Sequence, residues 1–375
     1  MSAAVDVLVV GAGIVGAACA LALRQDGLSV TLVEAATPGC GVTAVGMGHL
    51  VALDETEQEL DLCLLSLGLW DDFLRAHPGV GDASRCGTLW VAENEHQLAE
   101  AEQRAARLCA RGWHAEALSG DRLAQLEPAL RPGLAGGVRV GRDSVVYPPA
   151  VAHFLASELV RHGGQLRCGV RVHSVGAGHA MLADGSRLAA HHIVVANGAS
   201  IASLLPEVPV FPRKGHLAIT DRYPGRIAHQ IVSMNYGQAA VSADALAVAA
   251  NVQPRPNGQW LLGSCRQDGQ HDTDLDPAAL RAVLDVTSAL LPCLRQMRVI
   301  RAWAGMRPAT PDGKPLIGAH PARPGLWLAA GHEGLGVTTA FATARVLADQ
   351  LQGRASALDP SPYFPSRFAA LRSIQ

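Results

Sequence analysis

The first 34 residues leave this chain few folds to choose from. "VDVLVV" (5–10) is an uninterrupted apolar run of the kind that fills a buried strand. "GAGIVG" (11–16) follows at once, then the helix-forming "AACALALRQD" closed by Gly27, then a second strand "LSVTLVE" (28–34) ending on an acid. Strand, glycine turn, helix, strand and acid are the parts of a dinucleotide-binding βαβ unit, in order. In that unit Gly11 permits the tight turn, Gly13 lets the backbone approach a pyrophosphate, and Gly16 lets the helix pack on its strand. The helix N-terminus offers its unpaired N–H groups to the phosphates. Glu34, 18 residues after Gly16, accepts from both ribose hydroxyls, and an acid there disfavours NADP. A glycine-rich turn without a ligand is the plain alternative; the flanking strands and the acid weigh against it.

The far end of the chain chooses between NAD and FAD. Strand "LWLAA" (326–330), loop "GHEGLG" (331–336) and helix "VTTAFATARVLADQL" (337–351) form a second glycine turn opening a helix. "VVANGAS" (194–200) is a third strand-to-small-residue turn. An NAD enzyme needs only the first unit, so three such segments favour FAD. The last helix N-terminus would stabilise negative charge on a reduced flavin ring.

At 375 residues the chain is too long for one ordinary core and suits two. With 49% hydrophobic and 17% charged residues it is not disordered. A net charge of −2 and the lack of a basic block argue against a nucleic-acid surface. The eight cysteines contain no C-x-x-C pair, which weighs against a metal or iron–sulfur site and points to a reduced, cytoplasmic setting. The apolar start lacks the basic region of a signal peptide, and no transmembrane segment is expected.

Between these landmarks, helices are expected over 55–76, 94–111, 117–130, 148–164 and 277–291. Strands are expected over 169–175, 181–190 and 191–199, with Asp184-Gly185 as a hairpin turn. Short strands between Pro/Gly turns over 208–265 read as antiparallel. The fold class is therefore α/β: a discontinuous Rossmann-like FAD-binding domain over 1–80, 145–207 and 305–375. Into it is inserted an α+β substrate domain, built on an antiparallel sheet, over 81–144 and 208–304.

Six runs together carry a family resemblance: "VVGAGIVGAACALAL", "TAVGMGHL" (43–50), "VVANGAS", "VFPRKGHL" (210–217), "GMRPATPDGKPLIG" (305–318) and "AAGHEGLGVTTA". Over nearly its whole length the chain resembles the D-amino-acid oxidase superfamily of FAD-dependent amine oxidoreductases, which includes glycine oxidase and sarcosine oxidase. Within it, "GMGHLVALDETEQELDL" and "GHEGLGVTTA" look most like the flavin subunit of bacterial D-hydroxyproline dehydrogenases. The resemblance implies FAD contacts at Ile14, Val15, Glu34, Ala35, Thr43 and Ala44, and at Gly46, Met47, Gly48, His49 and Leu50. It implies that Val172 meets the adenine through its backbone, and adds Ala196, Asn197 and Gly198 in the middle turn. Gly331, His332, Glu333, Gly334, Leu335, Gly336, Val337 and Thr338 would wrap the flavin ring. Many relatives have a basic residue where this chain has Ala35, which removes a phosphate contact.

By the same resemblance, the activity is oxidation of an amino or imino acid to its imine, with D-hydroxyproline or D-proline foremost. Electrons would pass to accepting subunits of a hetero-oligomer, in the cytoplasm or peripheral to the inner membrane. Two alternatives stand beside it: an oxygen-using oxidase of glycine, sarcosine or a D-amino acid, and a FAD-bearing relay subunit without its own catalysis. Oxygen-using relatives often place a lysine near the flavin, and no counterpart is evident here.

Three residues are the catalytic candidates. Arg307 is a lone charge between Met306 and Pro308, with no other until Asp312. In glycine oxidase-like relatives the arginine of this G-x-R-P motif binds the substrate carboxylate, a task for which the guanidinium fork is suited. The alternative is a structural arginine that caps carbonyls or pairs with Asp312. His49 would face the substrate, carry a flavin bond, or serve only in packing and hydrogen bonding. Glu333 would meet a substrate amine or hydroxyl, or be a solvated loop acid. Lys214 and Tyr236 are further pocket candidates. Hydride transfer from the α-carbon of a neutral amine to the flavin asks chiefly for orientation and charge placement, so no dedicated base is assigned. No metal is expected.

Overall fold

A computed structural model of the chain describes residues 4–53, 55–235 and 246–371. The opening run forms strand Val5–Val10, buried from Val7 onward. It lies inside a sheet whose strand order is Leu316–Ala319, Leu326–Ala330, Arg187–Val195, Val5–Val10, Val30–Val33 and Gln165–Arg167. The pairings from Leu326–Ala330 to Gln165–Arg167 are all parallel, while Leu316–Ala319 runs antiparallel at the edge. Helices Ile14–Gln25, Pro148–Arg161 and Ala340–Leu351 pack beside this sheet, the first touching both others. Small side chains such as Ala17, Cys19 and Ala344 let them approach closely in a shared core with Leu155 and Leu347. A strand covered this way is apolar at every position, which is why the run does not alternate.

Three local expectations change. The helix expected over 117–130 is shorter, Gly120–Leu126, because the residues before it belong to the edge strand Glu116–Ser119 and Ser119 caps the helix. Arg187–Val195 is one strand, not two. Its first residues pair antiparallel with His179–Leu182 across the Asp184-Gly185 turn, and its last pair parallel with Leu326–Ala330. The chain therefore has no need to break between them. The final helix begins at Ala340 rather than 337, because Glu333–Leu335 makes a short 3₁₀ turn first.

The second sheet has the order Val299–Ala309, Phe211–Thr220, Trp260–Gln267, Leu246–Pro254, Gln230–Ser233, Thr88–Ala92, Gly136–Val140 and Glu116–Ser119. It is antiparallel except where Gln230–Ser233 meets Thr88–Ala92, which pair in parallel. That junction joins two stretches far apart in the chain, so no hairpin dictates their direction. Helix Pro277–Leu290, capped by the Asp276 carboxylate on Ala278 and Ala279, covers the back of the sheet. The opposite face is free to line a cavity. The whole is a mixed α/β fold with a discontinuous Rossmann-like domain and a separate β-rich domain. Among the described residues, no helix is long and apolar enough to cross a membrane.

Candidate active site

A cavity of about 450 Å³ runs from the opening glycine turn to the Gly331 loop. Gly11 has φ +101°, and a Cβ there would lie 2.7 Å from the Ala196 oxygen. A Cβ at Gly16 would strike the Gly11 oxygen, so Gly16 sits behind the turn and does not line the cavity. Gly13 differs: a Cβ there would meet only the Thr43 hydroxyl, at 3.2 Å, and the rest of its surroundings are open. Thr43 in turn accepts from the Ile14 N–H at 3.0 Å, fixing the start of the first helix. Glu34 accepts from the Ala12 N–H at 2.8 Å and the Ala36 N–H at 2.9 Å, one on each carboxylate oxygen. Each oxygen has further lone pairs for a ribose hydroxyl.

Val15, Ala35, Val172, Ala196 and Gly198 also line this cavity. So does Asn197, whose side-chain oxygen is buried without a protein partner among the described residues. From the next segment come Gly46, Met47, Gly48 and His49; from the last come Gly331, His332, Glu333, Gly334, Gly336 and Val337. Four other candidates stand back. Ala44 faces a different cavity across the short helix Val42–Val45, Leu50 is in the core, and Leu335 lines an adjoining space. Thr338 is buried and donates to the His49 carbonyl at 2.9 Å. The Trp70 indole N–H is shared between the Val337 and Thr338 carbonyls, each at 3.1 Å. The His332 ring turns to the Thr343 hydroxyl at 2.9 Å, and burial pushes its pKa down to about 4.

His49 meets the face of the β-rich sheet. Gln230 gives its amide N–H groups to Thr88 and to the Ser144 carbonyl, so its oxygen must face the His49 Nδ1. Nδ1 therefore carries the proton, and Nε2 accepts from Asn251 at 3.1 Å. The Gln253 side-chain amide closes the third side of this cage, 3.3 Å from the same Nδ1; with the proton on Nδ1, its oxygen, otherwise unpartnered among the described residues, is the end that would accept there. Burial holds the ring down to about 4, so it is neutral at neutral pH.

Glu333 is not a solvated loop acid. It has φ 45°, a left-handed conformation uncommon outside glycine, and its carboxylate lies 3.2 Å from both Arg213 and Arg266. Arg213 also makes a two-bond pair with Asp268. Lys214, next along the strand, points to the opposite face and is tied to Asp272 at 2.6 Å. It does not line the cavity. Tyr236 lies outside the described residues.

Arg307 sits on strand Val299–Ala309, directly across from Arg213. It donates to the Cys265 carbonyl at 2.9 Å and lines the cavity. The Asp312 carboxylate, its nearest acid in sequence, is taken by a two-bond pair with Arg367. Among the described residues no carboxylate pairs with Arg307, whereas Arg213 and Arg266 both have one. The guanidinium is thus fixed along one edge and electrostatically unsatisfied along the other.

A family model described as FAD dependent oxidoreductase (DAO) matches residues 6–350. The chain belongs to this family. Its own residues fit the cofactor: an open cradle at Gly13, a cavity-lining carboxylate at Glu34 and an orphaned amide oxygen at Asn197. The chain is a FAD-dependent oxidoreductase, in which the flavin supplies the hydride acceptor. Glycine oxidase from Geobacillus kaustophilus is 26% identical over 378 residues, 96% of this chain and 97% of the relative. Glycine oxidase from Pseudomonas aeruginosa is 28% identical over 389 residues, 96% and 98%. The solved structure of the Geobacillus kaustophilus glycine oxidase superimposes with a TM-score of 0.87 at 25% identity, covering 98% of this chain and 100% of that one. L-proline dehydrogenase from P. horikoshii gives a TM-score of 0.88 at 20% identity, covering 98% of each; at that identity it speaks to the fold alone.

Gln230, Asn251, Gln253, Arg213 and Arg266 escape a reading of local motifs. The signal that could find them is an amide or guanidinium at an inward position of an otherwise apolar strand, where burying it demands a partner.

Proposed function

We propose that this DAO-family enzyme oxidises a small amino acid at its carbon–nitrogen bond, with loss of a hydride from the α-carbon and formation of an imine. The observation that carries the reading is Arg307, the cavity arginine left without an acid while its neighbours are neutralised. A substrate carboxylate would take the free edge of the fork, which sets orientation as well as affinity. A relay subunit has no use for such a clamp. The relatives named for glycine support a donor of glycine or sarcosine size over D-hydroxyproline or D-proline. His49 is read as a neutral wall of the site rather than a base, since both ring nitrogens are engaged. Glu333 holds Arg213 and Arg266, which keeps their charges from competing for the carboxylate. The glycine turns, Glu34, Asn197 and the Gly331–Val337 loop hold FAD. The division into a FAD domain (1–80, 145–207, 305–375) and a substrate domain (81–144, 208–304) belongs to the same proposal, as does a cytoplasmic setting.

Oxygen is the assigned acceptor, on the strength of the relatives' names, and needs no partner subunit. The chain's two lysines, Lys214 and Lys314, do not line the cofactor cavity, so the test compares oxygen directly with an artificial acceptor. Anaerobic bleaching of the bound flavin is to be measured with glycine, sarcosine, D-proline and D-hydroxyproline, followed by reoxidation with oxygen and with an artificial dye. Fastest bleaching by glycine or sarcosine is expected. Preference for the ring amines would restore the hydroxyproline reading, and dye turnover far above oxygen turnover would make the enzyme a dehydrogenase. No bleaching by any of the four would sink the small-amino-acid reading.

A further inference from the structure

Arg307 does not stand up from its sheet. It lies down on it, and the place where it lies is missing a side chain. A Cβ at Gly215, on the neighbouring strand Phe211–Thr220, would come within 2.6 Å of the Arg307 Nη2 and 2.7 Å of Cζ, and closer still to Nη1. Gly215 and Gly305 are cross-strand partners, and Arg213 and Arg307 form the pair two residues further along, so all four share one face. Gly215 is buried in a strand that pairs in constant register with Val299–Ala309 around it and shifts register against Trp260–Gln267 between Lys214 and Ala218, and its φ is not in the left-handed range. Its backbone therefore does not require glycine. In a strand, glycine forgoes packing and costs conformational entropy, and it marks either a bulge or the close approach of another group; a Cβ at 215 meets no backbone of the shifted strand first, but the Arg307 side chain. Here the approaching group is the Arg307 guanidinium.

We propose that Gly215 is a positioning residue for substrate recognition: a notch in the sheet that lets Arg307 lie flat, with one edge on the Cys265 carbonyl and the other toward the cavity. This rests on the reading of Arg307 as the carboxylate clamp. A methyl group at 215 would lift the guanidinium by about 1 Å to reach ordinary contact distance. That shift breaks the alignment with Cys265 and pushes the charge into the space a substrate needs. Arg307 would keep its charge and its place in the sequence but lose its geometry. The notch also bears on specificity, because the depth at which the guanidinium lies sets the headroom above it.

The test is a double-mutant cycle on the FAD-loaded enzyme, read by anaerobic flavin reduction with glycine and with glycinamide, which lacks the carboxylate. Gly215→Ala is expected to keep the flavin absorbance band and raise the half-saturating glycine concentration by about tenfold or more, with a much smaller change in limiting rate. Glycinamide, which has no carboxylate for the fork to hold, should lose far less than glycine. In an Arg307→Ala background, Gly215→Ala should add less than about twofold, since the group it displaces is gone. Gly215→Ala should also cost an Arg307→Lys enzyme less than the native one, because an ammonium is not a plate lying on the strand. A normal half-saturation in Gly215→Ala, with a raised one in Arg307→Ala, overturns the notch and leaves the clamp standing. Additive effects in the double mutant also overturn it. If Arg307→Ala is itself unaffected with glycine, the clamp reading fails and takes the notch with it. If Gly215→Ala loses FAD, retention in the double mutant places the fault on the Arg307 clash, and loss in both overturns the proposal.

Discussion

The two sheets build opposite walls of one cavity by different means. The parallel sheet offers the ends of its strands, and what lines the cavity there is largely the main chain of glycine turns with a few small side chains. The antiparallel-type sheet offers its face, and what lines the cavity there is side chains drawn from separate strands: Arg307, Leu217, Ser264, Asn251. A wall made of turns is specified by where side chains are absent. A wall made of a face is specified by which side chains are present and in what register. The first is hard to change without losing the ligand, and the second can be respecified one residue at a time. On the function proposed above, cofactor and substrate recognition fall to different walls of one cavity.

Four substitutions would break or sharpen that separation. The largest effect belongs to Arg307→Ala, which should cost about 2–5 kcal/mol in kcat/KM for the amino acid while the flavin band is retained. Loss of flavin along with activity would show that the two walls are not independent. Glu34→Ala comes next. It removes the acceptor for the Ala12 and Ala36 N–H groups as well as for the ribose, and should weaken FAD retention by roughly 1–3 kcal/mol. The fraction of enzyme still loaded should have a native KM; a changed KM would count against separate walls.

Glu333→Gln tests the point where the walls touch, since this loop residue is paired with two arginines of the sheet. It should shift both FAD retention and KM, by about 1 kcal/mol each, between the worth of an exposed pair and a buried one. Movement of only one readout would assign Glu333 to a single wall.

The smallest effect is on stability. Asp143 is fully buried, accepting from the Ala52 N–H at 3.2 Å, and burial raises its pKa from the ordinary carboxylate value of 3.8 to about 7. Between those values the folded chain holds the proton more tightly than the unfolded one, so this group costs stability as pH rises from about 4 to about 7. His49 and His332 act oppositely. With pKa values of about 4 against the ordinary imidazole value of 6.5, their contribution is complete above about 6.5 and is lost as pH falls toward 4. Asp143→Asn should therefore match the native protein near pH 4 and gain on it up to pH 7, in denaturant melts taken across that range. A pH-independent difference would mean that Asp143 titrates normally.

The same contrast explains what could be read in the sequence. The first wall is contiguous, so "GAGIVG", Glu34 and "GHEGLG" announce it within a few residues each. Arg307 was legible as an isolated charge, but its surroundings were not. "VFPRKGHL" and "GMRPATP" are nearly 100 residues apart in the chain and adjacent in register, Arg213 opposite Arg307. Nothing local says that Gly215 faces that arginine or that Lys214 points the other way. The amide cage around His49 draws on two strands with a bulged partner, so its members are fixed by pairing rather than by spacing. From sequence Glu333 reads equally as a substrate contact or a solvated loop acid, because its two arginines come from other segments.

The shared hydrogen bond from Trp70 to the Val337 and Thr338 carbonyls has an optical consequence. An indole on helix Glu57–Ala76 is anchored to the segment that follows the cofactor loop. Its emission overlaps flavin absorption, so energy transfer would darken it when the cofactor binds, and release of the indole N–H would shift its colour if the loop opened. The chain carries its own reporter of cofactor loading, and the difference spectrum between native protein and Trp70→Phe isolates it from the other five tryptophans.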